Sequence, residues 1–184
     1  LVVLLTFQAA QWTTLPPEVL TNLAAGLFIL PFFLFAATAG QFADKYDKAW
    51  LARLVKILEM LIMALAVLGF MMHSLAVLLG ALFLLGLHST VFGPVKYAIL
   101  PQHLHADELV GGNALVEAGT FVAILLGTLA GGALAGMGEH PVWVAFVGLL
   151  VAGAGFLASC RIPAAPPPAP DLAINFNAFS ETWR

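Results

Sequence analysis

Long apolar runs, broken only by short polar turns, limit this chain's fold more than any other feature of its sequence. Residues 18–43, 50–72, 75–97, 108–137 and 142–160 carry few charges. Each is close to the length of about 20 residues that crosses a bilayer's hydrocarbon core. In lipid every backbone polar group must be satisfied internally, which leaves helices or closed barrels. The runs are continuous and lack the ten-residue alternation of barrel strands, so the expectation is helical. Composition agrees, with 61% apolar and 9% charged residues against about 45–50% and 25% in soluble domains. The chain reads as an integral membrane protein with room for about six helices and a tail.

Other classes fall away quickly. The net charge of −3 is small and spread over loops, so it points to no nucleic-acid or acidic partner. Cys160 stands alone and supports neither a disulfide framework nor a thiolate metal cluster. No basic n-region marks a signal peptide. The sequence opens in mid-run at Leu1, so a first helix over 1–12 is expected to be cut short and the chain to be a fragment.

The remaining helices are expected at about 18–43, with Pro31 kinking it, and at 50–72, 75–97, 108–137 and 142–160. Together they form one transmembrane bundle over 1–162. A charged turn, Asp44 to Lys48, follows the second helix, and PAAPPPAP in residues 163–170 reads as an extended linker. Phe176, Phe179 and Trp183 in the tail have the spacing of a short interfacial helix. If alternate loops face opposite sides, Lys45, Lys48, Arg53, Lys56, Lys96, Arg161 and Arg184 share one side, and the other has no Lys or Arg. The positive-inside rule makes that side, and the tail, cytoplasmic.

The most informative stretch is residues 92–132, FGPVKYAILPQHLHADELVGGNALVEAGTFVAILLGTLAGG. Lys96 sits near the end of one apolar run, and Glu117 about two turns into the next. Isolated charges in apolar segments are costly and tend to face a protein interior or a watery path. Asn113 lies one turn before Glu117 on the same face. Gly119, Ala123, Gly127, Gly131 and Ala135 recur every fourth position, and Gly132 adjoins them, which suits close helix packing.

Two motifs carry a family resemblance. Gly40-Gln41-Phe42-Ala43-Asp44-Lys45-Tyr46-Asp47-Lys48 resembles the loop signature G-x-L-A-D-[RK]-x-G-[RK]-[RK] of major facilitator superfamily transporters, with Asp47 in place of the glycine and Ala49 in place of the last basic residue. An ordinary solvated turn is the plainer reading. FGPVKYAILPQHL followed by ELVGGNALVEAGTFVAILLGTLAGG resembles the lysophospholipid transporter branch, which moves lysophosphatidylethanolamine-like lipids across the bacterial inner membrane. Some members are fused to an acyltransferase and an acyl-carrier-protein synthetase. The resemblance implies an all-α, six-helix N-terminal half working by alternating access with a C-terminal half. It implies a cytoplasmic latch from Gly40, Asp44, Lys45 and Lys48. The branch's acidic first-helix element and the whole second half are absent from this sequence.

Within that frame Lys96 is expected to hold a lipid phosphate as a point charge, against a snorkelling anchor as the plainer role. Glu117 would pair with Lys96, receive an ethanolamine ammonium or exchange a proton, and Asn113 would share the lining. A packing salt bridge is its plainer role. Gly119, Gly127, Gly131 and Gly132 are read as packing residues. Arg53, Lys56 and Glu59 look like a helix-surface cluster from which Glu59 reaches the Asp44 turn. His88 reads as hydrogen-bonded to a neighbouring helix, with proton relay as the sharper alternative. His103, His105, Asp107 and Glu108 have metal-ligand types, but a polar loop explains them, and no metal or cofactor is expected. The His-x4-Asp acyltransferase pattern, nucleophile elbow, P-loop and dinucleotide fingerprint do not occur, so no enzyme is expected in this chain. A permease for a drug or small solute, and a membrane module anchoring a fused acyltransferase, are the alternative functions.

Overall fold

A computed structural model of the chain describes residue 5 and residues 12–136 and 141–175. These form helices α1 (Pro17–Lys45), α2 (Lys48–Met71), α3 (Leu75–Ala98), α4 (Leu100–His103), α5 (Leu109–Gly136) and α6 (Pro141–Ser159). Five of the spans are long and apolar enough to cross a membrane, one fewer than the six expected. The run expected for the missing one, 1–12, falls outside the described residues apart from Leu5 and Trp12. No strand occurs among the described residues.

Local chemistry sets the helix ends. Pro17 starts α1, where its missing N–H costs nothing. The Asp47 side chain caps α2 by accepting from the Trp50 N–H at 2.8 Å, and Ser74 caps α3 through the Val77 N–H at 3.4 Å. The turn between them closes on His73, whose φ is 50°, while the Ser74 N–H reaches back to the Gly69 carbonyl at 3.0 Å. The charged turn expected over Asp44 to Lys48 is shorter than its composition suggested. α1 continues through Lys45 and α2 begins at Lys48, because Asp47 itself supplies the cap. Pro31 leaves α1 continuous through Lys45. The polar loop after α3 contains one unforeseen turn of helix, α4, with a proline in its first turn.

α3 is the central helix, packing along both α1 and α2, and α2 packs in turn along α6. One core, toward the end where α2 turns into α3, joins Leu20 and Ala24 of α1 with Phe70, Leu78 and Leu82, and with Val144 and Ala145 of α6. A smaller core at the opposite, basic end joins Ala43, Leu51, Ala52 and Val95. The α1–α3 crossing depends on Gly86, since a Cβ there would fall onto the Phe28 carbonyl. α5 differs from the rest: its membrane-length window is 0% buried.

Residues after α6 do not hang free. They cross the basic end of the bundle from Ile162 to Asn175, extended over residues 163–167 and turning at Ala169–Leu172, and are bonded to it at several points. Arg53 Nη2 donates to the Ile162 carbonyl at 3.1 Å. The second Asp47 oxygen accepts from the Ala165 N–H at 2.9 Å, while the Lys48 N–H donates to the Ala165 carbonyl at 3.0 Å. The Ala169 N–H donates to the Asp44 carbonyl at 3.1 Å, and the Gln41 amide brackets the backbone of Asn175. Prolines suit this strap because they hold the extended conformation without needing a donor. The tail positions Phe176, Phe179 and Trp183 lie outside the described residues.

The α1–α3 crossing yields a paired test. Gly86→Ala should lower stability by about 1–3 kcal/mol through overpacking. Gly80→Ala, where an added Cβ meets nothing within 4 Å, should raise it by about 0.5–1 kcal/mol. Thermal unfolding followed by tryptophan fluorescence in detergent would check both signs.

Candidate functional site

The sharpest charge constellation joins α3 to α5. Lys96, in the last turn of α3, points across the gap. Its Nζ lies 3.5 Å from Glu117 Oε1 and 3.4 Å from Thr120 Oγ1. Glu117 and Thr120 stand three apart on α5, so both reach the same spot. Thr120 donates its own hydroxyl proton to the Val116 carbonyl at 2.8 Å, which leaves its oxygen lone pairs for the ammonium. The ring of Tyr97 lies 4.7 Å from the same nitrogen. Lys96 is mostly shielded, while the Glu117 side chain is 41% exposed. The ion pair is therefore half open and able to exchange partners. Among the described residues, the polar links between α3 and α5 run through this one ammonium.

Asn113 stands apart from the pair. Its amide donates to the Leu109 carbonyl at 2.9 Å, and the side chain is exposed. Thr120 went unnoticed in the sequence, although its spacing of three from Glu117 was the available signal. Four glycines of α5 face open space: a Cβ at Gly119, Gly127, Gly131 or Gly132 would meet nothing within 4 Å. No described helix of this chain covers that stripe.

The basic-end turn divides its residues differently than its motif suggested. Gly40 has open space beside it. Asp44 is exposed, and its backbone carbonyl holds the strap. Lys45 closes the last turn of α1. Lys48 is only 1% exposed, and its ammonium has no hydrogen-bond partner among the described residues. Asp47, which departs from the family signature, is the residue with the most connections here. It caps α2 with one oxygen and holds the strap with the other.

A second cluster joins α2 to α3. Lys56 Nζ donates to Glu59 Oε2 at 2.6 Å and lies 5.1 Å from the Phe92 ring centroid. Glu59 therefore turns toward Lys56 and His88 and does not reach the Asp44 turn. His88 Nε2 is 3.6 Å from Glu59 Oε2, too long for a hydrogen bond. The hydrogen bond expected from His88 to a neighbouring helix is not formed among the described residues. The cluster is also less superficial than its i, i+3 spacing implied, because Lys56 packs against Gly155 of α6. His103, His105, Asp107 and Glu108 form no metal-binding group among the described residues. Instead Glu108 accepts from the His105 N–H at 2.9 Å and closes the loop.

The family model described as Major Facilitator Superfamily matches residues 3–181. The chain belongs to the Major Facilitator Superfamily. With five membrane-length helices among the described residues, this superfamily member is an integral membrane protein. Its curated relatives include proteins named lysophospholipid transporter LplT. The one from Klebsiella pneumoniae subsp. pneumoniae is 32% identical over 160 residues, covering 85% of this chain and 38% of the relative. That from Enterobacter sp. is 30% identical over 157 residues, with the same coverage. That from Escherichia fergusonii is 35% identical over 133 residues, covering 72% of this chain and 31% of the relative. The chain thus spans well under half the length of the curated relatives it matches. No solved structure matches it significantly.

Two outcomes follow from this geometry. In a double-mutant cycle, Lys96→Ala and Glu117→Gln should be non-additive in thermal stability, with a coupling of about 0.5–1 kcal/mol; strict additivity would show that the pair is not formed. Asp47→Ala should cost about 1 kcal/mol through the lost cap. It should also speed limited proteolysis within residues 163–175, whereas Asp44→Ala, which keeps its backbone carbonyl, should not.

Proposed function

We propose that this chain is the N-terminal portion of a transporter that moves lysophospholipid across the bacterial inner membrane by alternating access. The observation that carries the reading is the Lys96–Glu117 pair, with a cation and a carboxylate 3.5 Å apart at the end of apolar helices. A zwitterionic headgroup presents the matching charges. Lys96 takes the phosphate as a compact ammonium donor, and Glu117 takes the headgroup's amine, so the pair exchanges its internal partner for an external one. Asn113, exposed one turn away, lines the same path. The names of the relatives support the substrate class, and the superfamily supports the transport mechanism.

The basic end of the bundle is the cytoplasmic end in this reading, because Lys and Arg concentrate there. Gly40, Asp44, Lys45 and Lys48 form the gate on that side. A C-terminal helical half is the working partner. It packs against the uncovered small-residue stripe of α5 around Gly119, Gly127, Gly131 and Gly132, where close backbone approach is possible. An acyltransferase, fused or associated, would use the delivered lipid.

The test is uptake of labelled lysophosphatidylethanolamine into proteoliposomes by the full-length protein and by Lys96→Ala. The expected result is a loss of about tenfold or more in the variant, equivalent to about 1.4 kcal/mol, with expression and folding unchanged. Wild-type uptake no better than empty liposomes would overturn the substrate. Uptake unaffected by Lys96→Ala would remove Lys96 from the path and leave it as a helix anchor.

A further inference from the structure

Two lysines of this chain sit in apolar helices beside a carboxylate, and they hold it differently. Lys56 Nζ is 2.6 Å from Glu59 Oε2, whereas Lys96 Nζ is 3.5 Å from Glu117 Oε1. Both lysine side chains are 21% exposed. Each also has an aromatic ring beside its ammonium, Phe92 at 5.1 Å and Tyr97 at 4.7 Å. A charge-assisted N–H···O bond is about 2.7–2.9 Å long. The Lys56 pair is therefore closed, and the Lys96 pair is stretched.

Two features separate the pairs. The Lys56 pair lies within one helix, at i and i+3, while the Lys96 pair bridges α3 and α5. The Lys96 ammonium also has a second acceptor, Thr120 Oγ1, at 3.4 Å. It stands almost equally far from a charged acceptor and a neutral one. Glu117 is also the more open carboxylate, at 41% against 22% for Glu59, so an external amine can reach it.

The second acceptor has a definite chemistry. The Thr120 hydroxyl proton is committed to the Val116 carbonyl at 2.8 Å. Its oxygen is left as an acceptor only, so it meets an ammonium but offers a phosphate no donor. Whatever Thr120 does for an anionic ligand it does through Lys96. If Glu117 turns away, the hydroxyl still accepts from the ammonium, which would be costly to leave unmet in apolar surroundings. Being neutral, it holds Lys96 without cancelling its charge.

We propose that Thr120 is a positioning residue for Lys96, a neutral acceptor that keeps the ammonium in the α3–α5 gap while Glu117 exchanges it for the amine of a headgroup. The proposal rests on the lysophospholipid reading above and deepens it. A headgroup with phosphate and amine draws Glu117 away, and Lys96 is then held by Thr120 and the phosphate. A headgroup with phosphate alone leaves Glu117 on Lys96, and Thr120 contributes little. Thr120 thus sets headgroup preference without touching the headgroup.

The experiment measures binding to the full-length protein in nanodiscs. The probes are lysophosphatidylethanolamine and lysophosphatidylglycerol, which lacks the amine, both with brominated acyl chains that quench tryptophan fluorescence. Thr120→Val and Thr120→Ala remove the oxygen and should weaken binding of the amine-bearing lipid about fivefold, the scale of one hydrogen bond, and of the amine-free lipid less than about twofold. Binding of the amine-free lipid thereby reports that each variant is folded. Thr120→Ser keeps the oxygen and should stay within about twofold of wild type for both lipids. In a Glu117→Gln background, where no carboxylate awaits the amine, Thr120→Val should lose its headgroup dependence. Equal weakening of the two lipids by both oxygen-free variants, or of neither lipid, would overturn the role of Thr120 and leave the lysophospholipid reading standing. Headgroup dependence that persists in the Glu117→Gln background would overturn it too, since the effect would not pass through the exchange. Wild-type binding of neither lipid would overturn the lysophospholipid reading and this assignment together.

Discussion

The bundle depends on how closely two backbones can approach inside lipid. Hydrocarbon tails are as apolar as leucine, so burying apolar side chains gives helices little reason to associate there. What remains is dispersion at short range and the hydrogen bonds that lipid cannot supply. α3 meets α1 at Gly86, where the absence of a side chain lets the Phe28 carbonyl come within reach of the backbone. Both cores extend from this central helix, the larger through Leu78 and Leu82 and the smaller through Val95. The Lys96 ammonium and the His88 imidazole are placed by the same helix, so its seating on α1 decides where both polar groups lie.

The charges follow a consistent pattern. Several ionisable groups within the apolar helices are met by a partner on the same or a neighbouring helix. Lys56 is met by Glu59 and by the face of Phe92, and Lys96 by Glu117, Thr120 and Tyr97. Lys48 and His88 are buried with no hydrogen-bond partner among the described residues, and Arg53 leaves its Nε unmet while its Nη2 holds the strap. Lys48 lies under the strap at the bundle's end. His88 lies mid-helix, beside Glu59 and the ring of Phe92.

Much of the architecture was legible because hydropathy and capping are local. The runs expected at 75–97, 108–137 and 142–160 overlap Leu75–Ala98, Leu109–Gly136 and Pro141–Ser159, and Ser74 and Pro141 mark two of these starts in the sequence itself. Lys96 and Glu117 stood out as charges in apolar surroundings. What escaped notice depends on contacts between segments distant in sequence. The docking of residues 162–175 runs largely through backbone groups such as Ala165 N–H and the Ile162 carbonyl, and these have no signature in residue identity. A proline-rich stretch reads the same whether it is free or pinned. Asp47 looked like a defect in a family motif because the signature records a glycine, not the two donors that a carboxylate satisfies here.

The attachment of α5 has a mechanical consequence. Its polar tie to α3 lies at Glu117 and Thr120, well toward one end of a helix that extends to Gly136. Beyond the tie, about 24 Å of helix has no described neighbour along its glycine stripe. Near its far end Leu134 rests against the larger core. The helix is therefore a bridge held at two points, one of them an ion pair, with an open face between. Exchange of one partner on Lys96 would loosen one abutment and leave the other in place.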